Sequence, residues 1–175
     1  MISTKDVPLK LLSELMKNSR RSDRELAKAI GVSQPTVSRL ISKLEKEGFI
    51  KEYTMIPDFR KLGYELVALT FVRIRHLTPE ELKKARQRTR EDMKTAPPEI
   101  VWFEKGMGAG CDGVLASFHK DYASYLKLRE RMRGYSFVES CESFLINLQG
   151  EIHYRPLTLS TLADHILGPE EKEPE

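Results

Sequence analysis

The chain is poor in the residues that staple or ligate. Its two cysteines, Cys111 and Cys141, lie far apart, with no second pair to complete a tetrahedral zinc set. They read as buried or half-buried thiols, and whether they pair is left open. The four histidines, His76, His119, His153 and His165, are scattered, and none stands at metal-ligand spacing from another. No metal is assigned, and no motif implies a cofactor. Long apolar runs are missing too. A stretch such as Leu66–Val72 falls far short of the ~20 residues that cross a bilayer. Met1–Pro8 has no basic segment leading into an apolar one, so no secretory signal is expected. These absences predict a soluble, cytoplasmic protein with no membrane partner.

What is present is ordinary globular material: 175 residues, 40% hydrophobic and 31% charged. That is enough for one domain of usual size or two compact ones. The net charge of +3 is modest but unevenly placed. Residues 1–60 hold 12 Lys/Arg against 8 Asp/Glu, while residues 61–175 hold 17 against 18. The basic excess sits in the N-terminal third, where displacing counterions from a polyanion could stabilise binding.

Local patterns divide the chain. Pro8–Lys17 carries Leu9, Leu12, Leu15 and Met16 at helical spacing, with proline tolerated at the start. A second helix begins with Ser22 or Asp23 as cap, runs through Ile30 and stops at Gly31. A third is capped by Ser33, has Pro35 in its first turn, and reaches Glu47 before Gly48. Phe49–Ile56 alternates like a short hairpin or wing. These elements define a domain over residues 1–56, followed by a linker over 57–63. Strand patterns then appear at Leu66–Ile74, Ile100–Glu104, Gly113–His119 and Phe137–Leu148, with a possible further strand at Ile152–Leu159. Helices are expected from Thr78-Pro79-Glu80-Glu81 to before Pro97, and over Asp121–Arg133 with Tyr122, Tyr125, Leu128 and Met132 on one face. The order β-α-β-β-α-β over residues 64–167 is that of a ferredoxin-like sandwich, so the fold class is α+β. The acidic, proline-containing stretch 168–175 is expected to be disordered.

The third helix carries the function. Val37, Leu40, Ile41 and Leu44 form one apolar stripe, which must pack on the first two helices. The opposite face holds Pro35, Ser38, Arg39, Ser42, Lys43 and Lys46, with no acid and no large apolar group. Hydroxyls there can bond phosphates or either base type, and an arginine can fork onto guanine O6 and N7. Gln34 and Thr36 lie in the first turn, where reading helices meet base edges, and Ser33 caps the N–H groups that could take a phosphate. Charged outer faces are common on surface helices, so this pattern alone decides little. The upstream spacing decides more. Ala27, Gly31 and Val37 suit two helices crossing closely at a tight bend, an arrangement that leaves the second helix projecting outward. The expected DNA-reading set is Ser33, Gln34, Pro35, Thr36, Ser38, Arg39, Ser42 and Lys43. Lys46 fits a phosphate contact and a solvated helix end equally well.

The runs Asn18-Ser19-Arg20-Arg21-Ser22, Glu25-Leu26-Ala27-Lys28, Gly31–Arg39 and Lys43–Ile50 resemble the winged helix-turn-helix of the leucine-responsive regulator/AsnC transcription factors. Pro57-Asp58 and Leu62-Gly63 resemble that family's exit into its second domain. The resemblance implies a homodimer, or an oligomer of dimers, that sets paired helices on a palindromic site in double-stranded DNA. Two-fold pairing also follows from geometry, since one such helix reads only a few base pairs. The resemblance further implies an amino-acid effector bound near the turn between the middle strands. Here that turn contains Gly106, Gly108, Gly110 and Asp112, and Gly108, Gly110 and Asp112 are the candidate effector contacts. The family's usual glycine position is occupied by Ala109, and its usual aromatic before the aspartate by Cys111. The glycines therefore fit either a tight turn alone or a carboxylate-binding set of N–H groups. One enzyme alternative stays open: siroheme decarboxylases resemble the same two-domain architecture and would need histidines and basic groups for tetrapyrrole carboxylates. No such cluster stands out, and the expected function is a non-enzymatic transcriptional regulator.

Overall fold

A computed structural model of the chain describes residues 7–94, 96–150 and 157–167, which form two compact units. The first contains α1 (Val7–Lys17), α2 (Asp23–Ile30), α3 (Gln34–Lys46) and α6 (Ser160–His165). Its core is one cluster: Leu11 and Leu15 from α1, Leu26, Ala27 and Ile30 from α2, and Val37 and Leu44 from α3. Leu40, Ile41 and Ile50 pack against its margin.

Local chemistry sets the helix ends. Ser22, not Asp23, caps α2, and with Glu25 it forms a reciprocal capping box in which Ser22 N donates to Glu25 Oε2 at 2.7 Å. Those bonds, first from the Ser22 side chain and then from its backbone, hold the Glu25 carboxyl below its ordinary range. Gly31 ends α2 at φ 73°, where its missing Cβ removes the left-handed penalty.

The second unit contains β1 (Leu66–Ile74), α4 (Pro79–Lys94), β2 (Ile100–Gly108), β3 (Cys111–His119), α5 (Tyr122–Arg133) and β4 (Val138–Asn147). The strands form one sheet in the order β2-β3-β1-β4, with every neighbouring pair antiparallel. This is the ferredoxin-like sandwich expected from the element order. One sheet face buries Val72, Leu115 and Cys141 together with Leu128 and Met132 of α5. On α5 the expected apolar face is buried at Tyr125, Leu128 and Met132, but Tyr122 at its start is exposed.

The other sheet face is apolar and, beyond Phe118, uncovered. The register sets Leu69 between Ala116 and Phe144, with Trp102 beyond Ala116, and Phe71 beside Val114. Phe144 is 65% exposed and Trp102 49%.

Several expectations need correction. Residues 51–57 form no strand, so the alternation after Phe49 has no ladder partner. The segment expected to link the domains packs on the second unit, where the Phe59 ring stacks on Phe118 at 4.0 Å and Tyr64 meets both edge-on. The second domain, expected to reach residue 167, gives up its last described stretch. Residues 157–159 form no strand, and α6 packs on α1, with Ala163 fully buried and Lys17 Nζ 2.6 Å from Asp164 Oδ1. Most of the strand expected from Ile152 (152–156) and the tail at 168–175 lie outside the described residues. Both cysteines are free thiols, Cys141 buried and Cys111 partly so.

His119 ends β3 at 1% exposure, with Nε2 2.8 Å from Ser117 Oγ and the ring edge-on to Tyr125. Burial pushes its pKa below the ordinary 6.5, against the smaller opposing pull of Glu99 and Asp121. A histidine held neutral by the fold stabilises it above the unfolded-state pKa, and that stabilisation fades as pH falls through and below it. Unfolding stability, measured by urea titration between about pH 7 and pH 5, is expected to fall with acidification. His119→Gln should flatten that slope, and an unchanged slope would remove His119 from the cause.

Candidate nucleic-acid interface

The orientation of α3 follows from how its two faces are used. Val37 is 0% exposed and Leu44 4%, with Leu40 and Ile41 half-buried between them, so the apolar stripe is spent on the core. Ser38, Arg39, Ser42 and Lys43 are all exposed on the remaining face. The entry to the helix is fixed by Ser33, whose hydroxyl accepts from Thr36 N at 3.4 Å and lies 2.8 Å from Thr36 Oγ1. Gln34 and Pro35 stand exposed beside it, and Thr36 is half-buried.

Ser38, Arg39, Ser42, Lys43, Lys46 and Glu47 line one shallow surface groove along α3. Of the eight expected DNA-reading residues, four therefore share this groove and four form the first turn and its cap. Lys46, left open by the sequence, lies in the same groove. Its spacing signals this, since it stands one turn beyond Ser42 and Lys43. The groove also holds an acid that the helical face alone did not include. Glu47 stands 3.8 Å from Lys43, an exposed pair of the kind worth little in water. Arg39 Nε donates to Pro35 O at 3.2 Å, steering the guanidinium toward the first turn. No acid pairs with Arg39 among the described residues. Its terminal N–H groups are thus available for a planar, two-pronged contact with a base edge or phosphate.

The candidate effector residues lie at one end of the second unit. The strands run further than expected, to Gly108 and from Cys111, so the glycine-rich turn contracts to Ala109-Gly110. Both residues have positive φ, 50° and 69°, the signature of a type I′ hairpin. Arg73 Nε donates to Gly110 O at 2.6 Å, and Ile74 N donates to Asp112 Oδ2 at 2.8 Å. Gly110 and Asp112 thereby tie the hairpin to the end of β1, while Gly108 pairs with Cys111. Any side chain at Gly110 would collide with the Arg73 guanidinium.

The sequence profile of the family described as "Winged helix-turn-helix DNA-binding" matches residues 6–51. The leucine-responsive regulatory protein of Rhizobium meliloti is 36% identical over 83 residues, 47% of this chain and 53% of the relative. The HTH-type transcriptional regulator LrpC of Bacillus subtilis is 31% identical over 105 residues, 60% of this chain and 67% of the relative. With several of these relatives the match spans about half of their length, 53% in the first case and 46% for a Pyrococcus abyssi regulator. Two crystal structures share the fold. An AsnC family transcriptional regulator from Agrobacterium tumefaciens superposes at a TM-score of 0.68 and 24% identity, covering 92% of this chain and 99% of its own. The transcriptional regulator NMB0573 of Neisseria meningitidis, solved as an L-Met complex, gives 0.70 and 21%, covering 93% and 99%.

Ala109 occupies a left-handed position without the side chain or the glycine that suits it. Ala109→Asn should therefore stabilise the protein by roughly 0.5–1 kcal/mol, because Asn-Gly is a preferred type I′ pair. The check is the urea midpoint, which should rise with an unchanged m-value.

Proposed function

The chain belongs to the leucine-responsive regulator/AsnC family, and from that premise we propose that it is a sequence-specific transcriptional regulator that reads a (pseudo)palindromic DNA site as a homodimer or an oligomer of dimers. The observation that carries this is the division of α3. Its apolar residues are buried in the three-helix core, which leaves Ser38, Arg39, Ser42, Lys43 and Lys46 along one outward groove.

In this reading, Arg39 and the first-turn residues Gln34, Pro35 and Thr36 meet base edges, because the N-terminal part of a recognition helix enters the major groove most deeply. Ser33, Ser38, Ser42, Lys43 and Lys46 hold phosphates and set the register. The uncovered outer face of the sheet supports pairing of two chains. Leu69, Phe71, Trp102, Phe144 and Ile146 lie on it, and burying such a face against its own copy removes apolar surface from water. An amino-acid effector belongs to the same proposal, with Gly108, Gly110 and Asp112 as its contacts. The complex of the Neisseria regulator with L-Met lends support by analogy of fold.

The enzyme alternative gains nothing from the arrangement of histidines. His119 is buried against Ser117, while His76 and His165 are exposed in different units.

Selection of bound duplexes from a random pool, with and without amino acids, tests the proposal. The enriched sequences should contain inverted half-sites about 10 base pairs apart, or a multiple of that. Affinity should fall steeply with salt. Arg39→Ala should lose roughly 1–3 kcal/mol and relax the preference at one base position; an equal loss on all sequences would make Arg39 a phosphate contact. Absence of any salt-dependent enrichment would overturn the proposal. Sedimentation of Phe144→Glu should show monomers, whereas a dimer that survives this change would move the interface elsewhere.

A further inference from the structure

The two helices that cover the inner face of the sheet do so unequally. α5 buries Tyr125, Leu128 and Met132. α4 buries no described side chain completely, and its nearest residues, Leu82, Ala85 and Thr89, are only half-buried. Between α4 and the sheet lies a cavity of about 460 Å³ within the second unit. Small-molecule pockets begin at about 300 Å³, and this one opens to solvent beside α4.

The wall of this cavity has two parts. Its floor is apolar, built from Val72 and Leu115 of the sheet, Phe103 of β2 and Met132 of α5. Its α4 side carries Arg86 and Arg90. They follow Leu82 at successive turns and are exposed at the rim of the cavity, beside the half-buried row of Leu82, Ala85 and Thr89. Neither arginine has an acidic partner among the described residues. Lys105 adds a third cation, against the carboxylates of Glu104 and Asp112. Asp112 is already engaged by Ile74 N, and the Thr89 hydroxyl by Ala85 O. The uncommitted groups are therefore mainly cationic, set beside a hydrocarbon floor.

We propose that this cavity binds a small amphipathic monocarboxylate, with its carboxylate held by Arg86 and Arg90 and its hydrocarbon part against Val72, Phe103, Leu115 and Met132. Two adjacent guanidinium groups suit a carboxylate, because each can donate parallel N–H bonds to its oxygens. The chain of such a ligand completes the core that α4 leaves unfilled. The site lies within one protomer, on the inner face of the sheet; it borders the Ala109-Gly110 hairpin through Asp112 but draws its proposed ligand contacts from α4, β1, β2, β3 and α5. It does not depend on DNA binding.

Titration calorimetry of the full chain with octanoate, at submicellar concentration, tests this against 1-octanol as the neutral isostere. Octanoate should bind saturably and raise the melting temperature, and octanol should bind at least about tenfold more weakly. The double variant Arg86→Gln/Arg90→Gln should reduce octanoate to the level of octanol. Ala85→Leu, which grows into the cavity, should abolish binding of both while leaving the fold intact. Methyl NMR should locate the ligand through shifts at Leu115 and Met132. The proposal is overturned by absent saturable binding, by equal affinity for octanol, or by octanoate binding that survives the arginine changes. Shifts confined to the hairpin or to the outer sheet face would overturn it as well.

Discussion

Everything proposed for α3 depends on how one stripe of that helix is buried. Val37 and Leu44 enter the cluster formed by Leu11, Leu26 and Ile30, with Leu40 and Ile41 at its edge. Each fully buried aliphatic side chain contributes about 1.5–3 kcal/mol relative to exposure. Rotating α3 about its axis would exchange that stripe for serines, arginine and lysines, exposing the first set and desolvating the second. The rotation is therefore forbidden by both terms. A helix locked in this way presents Ser38, Arg39, Ser42 and Lys43 without having to select that orientation on binding, which lowers the ordering cost of recognition.

The second unit follows a different logic. Its sheet has one face that α5 covers well and α4 covers poorly, and an outer face that Phe59 and Tyr64 cover only at Phe118. Apolar surface left open on a sheet favours association with a like surface, and a palindromic DNA site requires two reading helices. In the proposed dimer, this sheet would supply the pairing that a single α3 lacks. The hairpin at Ala109-Gly110 lies at the end of this sheet, tied to β1 by Arg73 and by the amide of Ile74.

Much of this was legible beforehand, for reasons tied to particular residues. The α2 cap at Ser22 or Asp23, which the structure gives to Ser22, the left-handed stop at Gly31 and the helix start at Thr78-Pro79-Glu80-Glu81 are all local, formed within four residues. β1 was read with its observed limits because Leu66–Ile74 is a continuous β-forming run at the centre of the sheet. The errors arose where a local pattern depended on a distant partner. Residues 51–57 alternate but have no strand to pair with. Phe59 and Tyr64 sit in a segment of linker-like composition, yet their rings find Phe118 more than fifty residues away in sequence. α6 is six residues long, too short to declare itself by periodicity, and is held by its contact with α1.

The recognition helix and its outward residues were determined by the sequence alone, because helical period and capping chemistry act over a few residues and allow only one face to be buried. The sequence also placed serines and basic groups, with no large apolar side chain, along the other face. Tertiary structure decided what lies around that helix. It supplied the core against which that helix is fixed, built from Leu11 and Leu15 of α1 and Leu26, Ala27 and Ile30 of α2. It also left a cavity beneath α4 and an open apolar sheet face, features made by strand order and by the fit of helices on a sheet. Those depend on contacts between residues far apart in the chain, whose free energy no local pattern carries.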